Sequence, residues 1–432
     1  MQPTRILILV TLAWAVLGFC ASLIPAWQVI WLWGGSVAAV FVLVDFIAGL
    51  SLPAPVVERK LPSRFAMGVE QLVPVTLRNR SKMRICVLCY DGIPGDAESD
   101  ELPWKGKLPR KGFMRIDYPV TISERGMKDF DLAHLRIFSP LCLWSKRVRG
   151  GEIQSTRVYP NYEPVLRYAL LAMENCTEQM GIIKKNRTGL SREFHQLREY
   201  QIGDMLSQID WKATSKRLEL ITRDYQEQRD QTVVLAVDCG RRMRALDGGV
   251  TQFDHCLNAM LLLAYTALRQ GDHVGIIGVG GADRWLAPVR GVQSMTTILN
   301  HLYNYETSNS PSDFTEAAER LLTRQRRRAL VVMLSNVRGE DGNQLIEPLR
   351  MVRRRHVTIL ANLREQSVED RMKKPSASLD EALEVGAAAM YLEERARLLI
   401  ELRQHGIFTI DSLSNDLPVA LANAYLSARE MV

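Results

Sequence analysis

The sequence predicts a multidomain chain: an N-terminal transmembrane helical hairpin, a small β-sandwich-like domain and a C-terminal α/β domain with a doubly wound sheet. Three observations predict it. No residue from Ile6 to Val44 carries a charge, residues around Val73 alternate apolar and polar, and from Thr232 apolar strands alternate with helical patterns.

The anchor comes first, over residues 1–51. The uncharged run is nearly twice as long as a hydrocarbon core of about 30 Å requires of a helix. Two spans fit it, with Ile24-Pro25-Ala26 as the break, since proline ends or kinks helices. Trp27, Trp31 and Trp33 fall near that turn, where interfacial aromatics collect. A cleaved signal peptide would have an apolar region of about 7–15 residues. Cys20 follows the bulky Phe19, which argues against a lipoprotein site. Arg5 precedes the first span and Arg59, Lys60 and Arg64 follow the second. Positive flanks stay cytoplasmic. The expectation is a double-pass protein of the bacterial inner (plasma) membrane, with both termini and the soluble domains in the cytoplasm.

The β-sandwich-like domain spans 52–160. Val73, Val75 and Leu77 alternate with Pro74, Thr76 and Arg78, and further strands are predicted over 84–90, 114–122 and 129–138. Residues 161–230 form a helical connector, a basic stretch at 181–189 and a polar segment from Phe194 to Arg217. The α/β domain spans 231–432. Strands are predicted at Thr232–Asp238, His273–Val279, Ala329–Ser335, Val357–Leu363 and Ile407–Ile410. The helices are Phe253–Arg269, Phe314–Arg324, Leu345–Arg354, Glu393–His405 and Leu417–Met431. Ligands on such sheets bind beyond the carboxyl ends of the strands, which places Asp238, Ser335 and Asn336 where a site would be.

Composition narrows the function. At 432 residues, 47% hydrophobic and 24% charged, the soluble part can bury a real core. A net charge of +7, from 55 Lys+Arg against 48 Asp+Glu, suits a neighbour of anionic membrane lipid. The runs Arg326–Arg328 and Arg353–Arg355 carry no interleaved aromatic, so nucleic acid is not an expected partner. Seven cysteines make no disulfide framework, and Cys86-Val-Leu-Cys89 lies in an apolar strand and reads as core.

Gly189 to Phe194, the Leu197-Arg198-Glu199-Tyr200 run, Gly203-Asp204 and Ile209-Asp210-Trp211-Lys212 together resemble the signature of the bacterial domain-of-unknown-function 58 family. The strand ending in Asp238, followed by Cys239-Gly-Arg-Arg-Met243, looks like the start of that family's von Willebrand factor A-like domain. Phe138 to Leu143 and Val158-Tyr159-Pro160 fit its layout. Met205 to Gln208 and Ser215-Lys216 depart from its usual acid, proline and arginines. The resemblance implies a membrane-tethered, non-enzymatic adaptor that presents this domain to a MoxR-type AAA+ ATPase or a client protein. The ATPase must be a separate chain, because no GxxxxGK[ST] loop is present.

The partner-binding residues so implied are Arg198, Tyr200, Asp204, Asp210 and Trp211. The resemblance also implies a divalent-cation site such as Mg²⁺, in degenerate form. Asp238 is kept, Ser312 stands for a threonine and Asn336 for a later acid, while the two serine positions read Gly240 and Arg242. A guanidinium there would pair with Asp238 and replace the cation's charge. The alternative function is a membrane-bound hydrolase using Glu199, Asp204 and Asp210. No nucleophile–base pair is legible, and His195 reads as a surface or packing residue.

Overall fold

Thr4 starts the first helix and fastens it at once: its hydroxyl accepts from Leu7 N at 3.5 Å and donates to Cys142 O at 2.7 Å. The computed structural model describes residues 1–22, 25–165, 167, 192–201, 206–217, 219–227 and 231–429. The chain divides into two compact units, Met1–Asn161 and Tyr162–Val432.

In the first unit, β1 (Gln2–Pro3) leads into α1 (Arg5–Ala21) and α2 (Pro25–Leu50). Trp14 and Trp31 stack at 6.0 Å, and Trp31 Nε1 donates to Trp14 O at 3.2 Å. Asp45, the first charge after the apolar run, is 2% exposed. It accepts from Ser139 Oγ at 2.5 Å and Leu141 N at 2.9 Å, while Trp144 Nε1 donates to Val42 O at 3.2 Å. The start of α1 and the end of α2 therefore meet the same Ser139–Trp144 turn. Among the described residues one helix is long and apolar enough to cross a membrane, Trp27–Leu50, whose 24 residues span about 36 Å. At 17 residues, α1 reaches about 26 Å, short of a full crossing.

Ten strands follow: β2 (Val56–Arg59), β3 (Phe65–Ala66), β4 (Gln71–Arg78), β5 (Ile85–Gly92), β6 (Ala97–Glu98), β7 (Trp104–Leu108), β8 (Phe113–Ile122), β9 (Gly126–Phe138), β10 (Trp144–Gly150) and β11 (Gln154–Tyr159). One sheet runs β2-β4-β8-β6. The other is built on β9, which pairs β5 along one side and β10 and β11 along the other, with β7, β1 and β3 outside them. Alternation along β4 buries Val73, Val75 and Leu77, as the period of two requires. Cys86 and Cys89, three apart on β5, point to opposite faces, with Cys89 buried and Cys86 half-buried.

A polar node joins the two sheets. Arg59 on β2 donates through Nε to Asp91 Oδ2 on β5 at 2.8 Å, and through Nη1 to Phe130 O at 3.2 Å. Tyr118 on β8 donates to the same Asp91 carboxylate. Here the sequence reading is corrected. Arg59, counted as a charge flanking the membrane, is a 7%-exposed core residue. Lys60 and Arg64 are exposed.

In the second unit, β12 (Arg192–Glu199) pairs antiparallel with β13 (Ile221–Glu227), and α3 (Trp211–Arg217) lies between them in sequence. Of the helical stretch 161–180 only 161–165 and 167 are among the described residues, and the connector 181–189 lies outside them. The large sheet then builds from β14 (Thr232–Asp238), a small β15 (Leu246–Asp247) and β16 (Val250–Thr251) hairpin, α4 (Gln252–Arg269), β17 (His273–Val279), β18 (Trp285–Arg290) and α5 (Met295–Leu302). It continues through α6 (Phe314–Arg324), β19 (Leu330–Ser335), α7 (Gly342–Arg353), β20 (Val357–Arg364), α8 (Gln366–Lys373), α9 (Leu379–Gln404), β21 (Phe408–Leu413) and α10 (Leu417–Ala428).

Strand order is β18-β17-β14-β19-β20-β21, parallel except for the edge strand β18. Val234, Ala236, Val331 and Met333 pack on one face against Phe314, Leu321, Leu345, Leu349 and Leu398 of α6, α7 and α9. Helices α4 and α10 pack together and touch the strands β14, β17, β20 and β21. Burial on both faces explains why these strands are apolar throughout rather than alternating.

Elements of the second unit not read from sequence are β12, α3, β13, the β15–β16 hairpin, β18, α5 and α8. Helix α9 also starts well before the predicted Glu393. Ser378 caps it, accepting from Glu381 N at 3.3 Å. Its first half hid because Leu379, Leu383 and Met390 are 77%, 64% and 65% exposed, so no apolar stripe faces the core.

Candidate functional site

The carboxyl end of β14 delivers Asp238 to the rim of the sheet, 5% exposed. Parallel pairing sets Ser335 at the end of the neighbouring β19, with Asn336 just beyond it. Ser312 arrives on the segment before α6, where Asp313 caps the helix by accepting from Thr315 N and Glu316 N, both at 2.9 Å.

The Asp238 carboxylate takes three hydrogen bonds from within the site. Oδ1 accepts from Gly240 N at 2.8 Å and from Ser312 Oγ, and Oδ2 accepts from Ser335 Oγ at 2.6 Å. A Cβ on Gly240 would lie 3.1 Å from both Asp238 Oδ1 and Ser312 N. A side chain at this position has no room while Ser312 holds Asp238. Asn336 turns elsewhere: its amide donates to Gln252 Oε1 at 2.7 Å and Glu365 Oε1 at 2.8 Å. Its Oδ1 is buried with no hydrogen-bond partner among the described residues. Asp238 and Ser312 are thus in direct contact, and Asn336 is beside them but engaged with another group.

Arg242 corrects a second expectation. It does not pair with Asp238. Its Nη1 reaches Asp341 Oδ1 at 2.6 Å and Oδ2 at 2.5 Å, and its Nη2 reaches Glu340 Oε1 at 2.7 Å. The hydrogen bond to Asp341, ahead of other causes, raises the Arg242 pKa further. Sequence reasoning missed Asp341 because it follows Asn336 by five residues, in a short turn with no periodic signal. Between these groups lies a cavity of about 50 Å³, lined by Asp238, Arg242, Ser312, Ser335, Asn336 and Asp341.

These residues do not fit Mg²⁺. A small hard cation needs several free oxygen ligands in near-octahedral array. Here one carboxylate already accepts an N–H and two hydroxyls, and the other holds a guanidinium. The arrangement ties three loops together at the sheet rim.

The signature segment is organised by backbone pairing. Tyr200 N donates to Leu220 O at 2.9 Å and Asp210 N to Ile221 O at 2.8 Å. Asp210 is the cap of α3, with Oδ1 accepting from Lys212 N and Ala213 N, both at 3.0 Å. Trp211 takes the first helical position and is 68% exposed. Arg198, half-buried at the end of β12, donates to Glu199 O at 3.2 Å, and Glu199 is exposed. Asp204 lies outside the described residues, and of His195 the structure describes only its place on β12.

The uncharacterized protein YeaD of Bacillus subtilis (strain 168) is 23% identical over 197 residues, which are 44% of this chain and 46% of that relative. The chain thus matches under half of the relative's length. For the β-rich unit, an ASH/PapD-like domain of human CEP192 is 11% identical at a TM-score of 0.18, covering 24% of this chain and 84% of that domain. The cupredoxin domain of amoB from Nitrosocaldus yellowstonii gives 11% and 0.18, covering 24% and 82%. At those scores the likeness assigns nothing, and the two-sheet reading rests on the chain's own strand pairing. Residues 196–389 match the model described as protein of unknown function DUF58, which makes that segment a DUF58-family domain.

Proposed function

We propose that this protein is a membrane-tethered adaptor: it presents a von Willebrand factor A-like domain to a MoxR-type AAA+ ATPase or a client protein and carries out no catalysis itself. The single observation that carries the reading is the engaged rim, where Asp238 accepts three hydrogen bonds and Arg242 occupies Asp341. With one carboxylate engaged by three donors and the other by a guanidinium, the rim supports neither an open cation site nor a free base. The hydrolase alternative loses Asp210, whose carboxylate caps a helix. Exposed Trp211, between Asp210 and Lys212, is the kind of side chain that anchors interfaces.

For the anchor, we propose a double-pass hairpin in the bacterial inner membrane with both ends cytoplasmic. Exposed apolar side chains along α2, such as Ile30 at 70% and Trp33 at 73%, suit lipid, and the ends of both helices meet one turn of the β unit. A shorter α1 is accommodated by local thinning of the bilayer, at fractions of a kcal/mol per Å.

The test is affinity capture of the full chain from membranes in a mild maltoside detergent. Stoichiometric retention of a MoxR-type ATPase supports the adaptor. Hydrolytic turnover abolished by Asp210→Asn, in a chain that still melts normally, would overturn it.

A further inference from the structure

A cavity of about 750 Å³ opens at the amino ends of β20 and β21, the opposite end of the sheet from Asp238. Its rim carries Arg328, Arg353 and Arg403, and none of its lining residues carries a carboxylate. The topology explains the gathering. In a parallel sheet each helix returns the chain to a strand's amino end, so the arginines that close α7 and α9 and precede β19 converge there.

Two of the guanidinium groups are positioned through Nε: Arg353 donates to Gly406 O at 2.7 Å and Arg403 to Thr409 Oγ1 at 2.5 Å. Neither has an acidic partner among the described residues. Cations at helix carboxyl ends are ordinary partners of the helix dipole, so the arginines alone would say little.

The floor of the cavity is what points to a ligand. His356 is 2% exposed with neither ring nitrogen partnered among the described residues, and Thr358 is 1% exposed with its Oγ1 likewise unpartnered among them. Buried polar groups left unpaired cost roughly 1–3 kcal/mol each. Two such groups beneath an arginine rim form a cradle of donors. Burial and the neighbouring Arg355 hold the imidazole neutral at physiological pH, so one nitrogen keeps a proton to donate. Ile359, Phe408 and Ala424 add apolar wall. The volume falls in the range of small-molecule sites, about 300–1,000 Å³, several times what a bare oxyanion fills.

We propose that this cavity binds an organic phosphate: the phosphate meets Arg353, Arg403, His356 and Thr358, and an apolar body lies along Ile359 and Phe408. That chemistry is shared by a phospholipid headgroup and by a soluble phosphate ester.

The experiment is calorimetric titration of the full chain in dodecyl maltoside with three probes: inorganic phosphate, phenyl phosphate and dihexanoyl phosphatidic acid. Saturable binding of either organic probe, tighter than inorganic phosphate and competed by it, is the expected result. The tighter of the two organic probes identifies the source. Arg403→Gln should weaken binding about tenfold, one charge-assisted bond's share. Thr358→Val separates ligand contact from packing, because replacing an unpaired hydroxyl by a methyl raises the melting temperature yet should lower phosphate affinity. No saturable heat with any probe, or unchanged affinity in both variants, overturns the proposal.

Discussion

Arg242 gives one guanidinium nitrogen to both oxygens of Asp341, at 2.6 and 2.5 Å, across 99 residues of sequence. The pair stands where the resemblance placed a cation ligand, and it leaves Asp238 to the hydroxyls of Ser312 and Ser335. Replacing Arg242 by serine therefore removes a positive charge from between two carboxylates and restores an oxygen ligand. We expect Arg242→Ser to melt below the native chain without divalent cation and to regain stability in about millimolar Mg²⁺. The native chain should show no such rise. Thermal melts of both proteins with and without Mg²⁺ check it.

Asp210 and Trp211 should separate by kind of effect. Asp210→Ala removes the α3 cap and should cost about 1 kcal/mol, while Asp210→Asn, which still caps, should cost little. Trp211→Ala removes an exposed ring, so the melting temperature should stay put. Retention of the proposed ATPase partner should fall by about 2 kcal/mol, the size of an interface anchor. Paired melting curves and pull-downs of the three variants give the answer.

The Arg59–Asp91–Tyr118 node is buried between sheets. Removing one member of a buried pair strands the other, so Asp91→Ala should cost about 3–5 kcal/mol. Tyr118→Phe, which deletes only a hydrogen bond to the carboxylate, should cost about 1–3 kcal/mol. Proteolytic nicking of the first unit during heating reports both. Desolvation, and then the charge of Asp91, push the Cys89 thiol up to about 12. Iodoacetamide at mildly alkaline pH should therefore leave Cys89 unmodified until the node is broken.

Acid should weaken the second unit through His356. Desolvation first, then Arg355, lowers its folded pKa to about 4 from an ordinary 6.5. Between those values the unfolded chain binds the extra proton, so stability is fully present above 6.5 and is lost as pH falls toward 4. His356→Leu should flatten that part of the stability–pH curve relative to the native chain. Calorimetric melts across this window test it, and an unchanged slope would count against a buried neutral imidazole.

Much of the architecture was legible because burial leaves a periodic trace. The uncharged run before Asp45, the alternation around Val75 and the all-apolar strand before Asp238 each follow from which faces meet water. Asp238 itself was placed correctly, since a carboxyl end of a parallel strand is where a rim residue must be. What the sequence could not decide were partners set by long-range geometry. Arg59 and Arg242 read as a flank charge and a partner of Asp238 because sequence distance says nothing about where a long guanidinium ends. Only tertiary packing carried Arg59 into the sandwich core beside Asp91, turned Arg242 to Asp341, and gathered arginines from the ends of α7 and α9 and the segment before β19 around His356. Backbone periodicity is a local property read along one strand or helix. Charge pairing depends on which distant segments the fold brings within a few ångströms.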